Sequence, residues 1–130
     1  MKIRLMLIAT IMSVSIVAQE AIAVDGWPSG SFDDAGVARV PQCAGVYIIY
    51  KDDTPYYVGR SRVNIYQRLY RHLNGNGSKK IAEILDGDYK LTMAYECLDS
   101  VEQMESQLID ALGTTNFGNL RRETDPADWE

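Results

Sequence analysis

Three parts of the sequence carry groups able to do chemistry. The stretch GVYIIYKDDTPYYVG, residues 45–59, begins with Gly-Val-Tyr and ends with Tyr-Val-Gly, so Tyr47 and Tyr57 stand in mirror order about residue 52. Farther on, Arg68 and His72 are four residues apart, which puts both on one face of a helix. A guanidinium grips a phosphate in bidentate fashion, and a neutral imidazole accepts a proton at neutral pH. Glu105 borders the apolar stripe Val101, Met104 and Leu108, where a carboxylate can reach the edge of a sheet. His72 is the only histidine and no cysteine pair has zinc spacing, so a metal here would be a hard ion held by oxygen. Each group also has a plainer account. Paired tyrosines stabilise half-exposed sheets, charges on a helix form solvated faces, and an isolated glutamate is usually a surface residue.

The elements that must position these groups follow from pattern. Residues 46–50 and 56–60 are rich in aromatic and β-branched types around Lys51-Asp52-Asp53-Thr54-Pro55, a hairpin signature. In a symmetric register Gly45 faces Gly59 and Tyr47 faces Tyr57, provided neither strand bulges. Alternation then puts both tyrosines and both glycines on one face, with Val46, Ile48, Tyr56 and Val58 on the other, toward the core. Two phenols flanked by positions without side chains would leave room for a ligand. Asn64 can cap a helix carrying Ile65, Leu69 and Leu73, which Asn74-Gly75-Asn76-Gly77 ends. Ser78 caps a shorter helix to Leu85, residues 90–98 read as a third strand, and Ser100 with Gln103 forms a capping box opening a helix to Leu112, closed by Gly113. The order is β-β-α-α-β-α. It predicts an α/β (α+β) fold, a small three-stranded antiparallel sheet covered by helices.

Composition bounds the setting. The 130 residues suit one domain with a modest core. Lys2 and Arg4, an apolar run over 5–18 and Ala21-Ile22-Ala23 have the layout of a signal peptide over residues 1–23. Its apolar run is short for a membrane span, so no stable membrane insertion is expected after its removal. The chain's 13 basic and 18 acidic residues then lose Lys2, Arg4 and Glu20, leaving 11 against 17, a net charge of −6. Such acidity disfavours nucleic-acid coating by bulk charge. Yet residues 60–80 hold Arg60, Arg62, Arg68, Arg71, Lys79 and Lys80 and no Asp or Glu, a face suited to an anion. Cys43 and Cys97, an even pair in an exported chain, are expected to form a disulfide. If their strands are adjacent and antiparallel, that bond adds about 4 kcal/mol in the chain-entropy model. Residues 24–40 read as a linker or loosely docked arm, 41–122 as the folded domain and 123–130 as an acidic tail.

Taken in order, Gly45-Val46-Tyr47, Tyr57-Val58-Gly59, Arg68-Leu69, His72, Glu105 with Leu108-Ile109, and Asn116 resemble the GIY-YIG nuclease superfamily. The resemblance implies a compact fold around a three-stranded antiparallel sheet and cleavage of DNA with one divalent metal, Mg2+ or Mn2+. It implies that Glu105 is the metal ligand and that Arg68 steadies the scissile phosphate. Tyr47 would help deprotonate the attacking water, Tyr57 would orient water or phosphate, and His72 would be an auxiliary base or phosphate contact. Asn116 matches a polar position late in the module, with Asn119 close enough to compete. Val replaces Ile in both tripeptides, and no separate DNA-reading domain is expected. Weak sequence preference is therefore expected, with salt-sensitive backbone contacts from Arg60, Arg62, Arg71, Lys79, Lys80 and Asn116.

The expected function is an exported, periplasmic or extracellular, metal-dependent endonuclease of low specificity. The alternative is an inactive module of the same fold that binds nucleic acid or a protein partner. The enzyme reading requires the carboxylate, the guanidinium and the two phenols to converge on one pocket.

Overall fold

The chain is described by a computed structural model over residues 25–119, excepting the side chain of Asn116. The segments expected to be a signal peptide, over 1–23, and an acidic tail, over 123–130, lie outside the described residues. The hairpin organises the rest. Strand β2 (Gly45–Lys51) turns through Asp52 and Asp53 into strand β3 (Thr54–Ser61). Both turn residues have positive φ, 51° and 69°, the backbone of a two-residue turn that matches strand twist. Aspartate tolerates this conformation better than most residues. Asp52 is also tied across the sheet, its N–H donating to Lys90 O at 2.8 Å and its carboxylate accepting from Lys90 N at 2.9 Å.

The register differs from the symmetric one. Tyr47 lies opposite Gly59 and Ile49 opposite Tyr57, with a shift between Ile49 and Tyr50. The tight turn sets Lys51 against Thr54, and the shift leaves Tyr56 as the extra residue on β3. Tyr47, Tyr57 and Gly59 still share a face, because the displacement is even. Tyr56 does not follow the expected alternation. It packs with Tyr47 and Tyr57, and its hydroxyl reaches Lys80 O at 3.3 Å.

Four strands form the sheet, one more than expected. The order is β1 (Ser29–Ser31), β4 (Leu91–Cys97), β2, β3, and every neighbouring pair is antiparallel. The extra strand comes from the segment read as a linker or loose arm. Ser29–Ser31 pairs with Thr92–Ala94, Asp33 caps the helical turn α1 (Asp34–Val37), and Phe32, Val37 and Val40 are buried. Three apolar anchors spaced too irregularly to show a period dock that segment.

Helices cover both faces. On the Tyr47 face lie α2 (Ile65–Leu73) and α3 (Lys79–Leu85), whose Ile65, Leu69, Ile81 and Ile84 join Tyr47, Ile49 and Tyr57 in one core. On the other face α4 (Val101–Leu112) buries Val101, Leu108 and Ile109 against Val46, Ile48 and Val58. Asn64 and Ser78 cap α2 and α3 with their side chains, accepting from Gln67 N and Lys80 N. Ser100 makes no such bond, so the capping box is not formed. Gly113 ends α4 at φ 69°, a left-handed position that suits glycine. The Cys43–Cys97 disulfide is present, with Cα atoms 5.8 Å apart, where the start of β2 meets the end of β4.

Candidate active site

Two groups of polar and aromatic side chains flank edge strand β3. The first occupies the α2 face. The Tyr47 and Tyr57 rings stack at 24° with centroids 6.5 Å apart, and His72 stands edge-on to both, at 5.7 and 5.4 Å. The Tyr47 hydroxyl oxygen lies 2.7 Å from His72 Nε2. On its other side the imidazole accepts at Nδ1 from the backbone N–H of Ser78, at 3.1 Å. Burial above all, then the Arg68 and Arg71 guanidiniums, hold the His72 pKa well below its usual 6.5. The ring is therefore neutral at pH 7. The expected room above the glycines is not there. The space over Gly59 is filled by the Tyr47 ring, and a side chain at Gly45 would meet the backbone of Glu96 and Cys97.

The second group lies on the α4 face. Arg60, paired with Val46 across the hairpin, extends to Glu105 and forms an ion pair with it. Both are buried, Arg60 8% exposed and Glu105 2%. Arg60, expected as a surface contact to DNA, is thus part of the interior. Gly59 and Arg60 are consecutive, so the ring group and the ion pair project from opposite faces of one strand. Glu105 and Tyr47 therefore approach the β3 edge from different sides of the sheet, so the single pocket that the enzyme reading expects could form only at that edge.

Arg68 projects from α2, 2% exposed. With Ser61, Val63, Asn64, Gln67 and Arg71 it lines a cleft of about 170 Å³ at the start of that helix. Two guanidiniums beside such an opening suit a phosphate group. Of the other basic residues, Arg71 and Lys79 are exposed, Arg62 is exposed and paired with Glu102, and Lys80 lies 3.7 Å from Glu83.

Asn119, which sequence reasoning held only as a competitor of Asn116, ties the segment after α4 to the sheet. Its side chain accepts from Val58 N at 2.8 Å and donates to Val58 O at 2.9 Å. It thereby completes the outer edge of β3 as another strand would. Asn116 ends the 3₁₀ turn Thr114–Asn116. Gly77 and Ser78 were read only as a helix stop and a cap, yet both touch His72. Gly75 and Gly77, three and five residues after the sole histidine, are the signal that marks this close approach.

This arrangement of hairpin, phenols, guanidinium and helical carboxylate defines a class that the comparisons identify. The chain belongs to the GIY-YIG family: a family model described as the GIY-YIG catalytic domain matches residues 43–118, more than half of the chain. That membership places it among nuclease domains in general terms. No curated protein and no solved structure matches the chain.

Proposed function

We propose that the chain is an exported, divalent-metal-dependent endonuclease that hydrolyses DNA phosphodiester bonds with little sequence preference. The observation that carries this reading is the buried hydrogen bond between the Tyr47 hydroxyl and His72 Nε2, within the matched domain and on the helix that also carries Arg68. Arg68 supplies fixed positive charge for the phosphate, with Arg71 beside it. The Tyr47 oxygen is the acceptor for the attacking water's proton, and Tyr57 packs against it to fix the ring. Arg62, Arg71, Lys79 and Lys80 serve as backbone contacts whose strength falls with salt.

The donor set suits a magnesium-like ion and not a caged one. Among the described residues no three His, Cys, Asp or Glu side chains cluster. Magnesium commonly takes one or two carboxylates and completes its shell with water and substrate phosphate. Glu105 is the residue that would hold it, exchanging its contact with Arg60. Such an ion, Mg2+ or Mn2+, supplies charge stabilisation for the leaving oxygen. The disulfide accords with an oxidising compartment outside the cytoplasm. Among the described residues no helix is long and apolar enough to cross a membrane.

One observation favours a second reading, an inactive module of the same fold binding nucleic acid or a protein. Tyr47, Arg68, His72 and Glu105 are each 2% exposed or less. Supercoiled plasmid with Mg2+ or Mn2+ separates the two. The enzyme reading expects nicking by the parent and a drop on the order of a hundredfold in Glu105→Ala. No nicking under either metal, or equal nicking by the variant, leaves the binding reading in its place.

A further inference from the structure

The five residues after α2, Asn74-Gly75-Asn76-Gly77-Ser78, fold back over the His72 ring. Gly77 comes so close that any Cβ there would strike Nδ1 and its neighbouring carbons. The Ser78 N–H points at Nδ1 from 3.1 Å. A ring nitrogen that accepts from an N–H carries no hydrogen, and a neutral imidazole has one hydrogen to place. That hydrogen is on Nε2, which lies 2.7 Å from the Tyr47 hydroxyl oxygen.

We propose that His72 is a positioning residue, locked by the Ser78 N–H in the tautomer that donates from Nε2 to the Tyr47 oxygen. It does not take the phenol's hydrogen. The auxiliary-base role implied by the family resemblance is thereby replaced by a donor role. Tyr47 directs its own hydrogen to an acceptor other than His72. A phenol oxygen that accepts such a bond is better stabilised as an anion, the form a proton acceptor needs. The 74–78 loop is then part of the site, although it need touch no substrate. The catalytic consequence rests on the nuclease reading; the tautomer does not.

Because His72 is the only histidine, histidine-selective 15N NMR of the purified protein reads its tautomer without assignment. The expected spectrum at pH 7 has hydrogen on Nε2 alone. Ser78 has φ −67°, which proline also adopts, so Ser78→Pro removes the N–H with little change of backbone. Ser78→Ala removes only the side-chain cap on α3. The alanine variant is expected to keep the parent's tautomer, and the proline variant to lose it and cut plasmid at least tenfold more slowly. His72→Gln keeps a donor near the position of Nε2 without a basic nitrogen, and should retain cleavage that His72→Ala loses. Hydrogen on Nδ1 in the parent overturns the proposal, as does a proline variant whose tautomer matches that of the alanine variant. Equal loss of cleavage in the two His72 variants, both folded by circular dichroism, overturns the donor role. If Ser78→Pro fails to fold, the parent's spectrum decides alone. A parent that cleaves nothing removes the nuclease reading, and the spectrum still decides the tautomer.

Discussion

Gly59 and Arg60 are neighbours on one strand, yet the two faces they define are held by different physics. On the Gly59 side, neutral rings pack edge to face and a single imidazole links a phenol to a backbone amide. On the Arg60 side, a buried guanidinium meets a buried carboxylate. The first face is specified by shape, so a methyl group in the wrong place disturbs it. The second is specified by charge, so volume matters less than the loss of one partner. A neutral ring is thus kept apart from a buried charge pair, the two leaving one strand on opposite faces.

Variants can break or sharpen this contrast, and the largest effect should be common to both faces. The disulfide joins residues 54 apart, and the Cys43 carbonyl accepts from Ile65 N at 2.8 Å, at the start of the helix that carries Arg68 and His72. Replacing both cysteines with serine should lower unfolding free energy by about 4 kcal/mol in urea titrations. A loss below about 1 kcal/mol would mean that the bond adds nothing to the hydrogen bonds beside it. Next comes Arg60→Met, which removes a partner of Glu105 and should cost roughly 3 kcal/mol. Adding Glu105→Gln should recover much of that stability while abolishing cleavage. Additive losses in the double variant would show that the two side chains are not coupled. Gly59→Ala should cost about 2 kcal/mol by pushing the Tyr47 ring aside. It should also weaken the tautomer signal of His72, which Arg60→Met should leave unchanged.

Much of this was legible in the residues, and the exceptions have physical causes. Strands, helices and their ends were readable because Asn64, Ser78 and Gly113 act through local geometry. That Tyr47, Tyr57 and Gly59 share a face was also readable, since alternation survives an even shift in register, but Tyr56 and the burial of that face were not. The register itself was not. Two aspartates with positive φ tightened the turn, and Tyr56 took up the extra length. Strand β1 escaped because three residues at a sheet edge have no period, and only their pairing with β4 defines them. Arg60 was misread as a surface cation because charge near a motif does not tell which side of a strand it faces. Glu105 was legible from its place beside its helix's apolar stripe and from the resemblance, whereas its buried pairing with Arg60 could be found only in three dimensions. Asn119 competed with Asn116 on spacing alone, and its two hydrogen bonds to Val58 could be found only in three dimensions.

The smallest effect tests the neutral face most directly. In the unfolded chain His72 titrates near 6.5, whereas in the fold burial, then Arg68 and Arg71, keep it from charging until the pH is well below that. The unfolded state therefore binds more protons than the native state as pH falls through 6.5. Stability that is fully present above that value is lost progressively on acidification, with a slope no steeper than about 1.4 kcal/mol per pH unit for one proton. Between pH 7 and pH 6 the urea midpoint of the parent should fall, and that of His72→Gln, which has nothing to titrate there, should stay level. Ordinary carboxylates titrate at about 4, so the window reads the imidazole. A parent profile as flat as the variant's would mean that His72 charges as readily in the fold as outside it. The rings would then not form the dry, neutral face that sets them apart from Arg60 and Glu105.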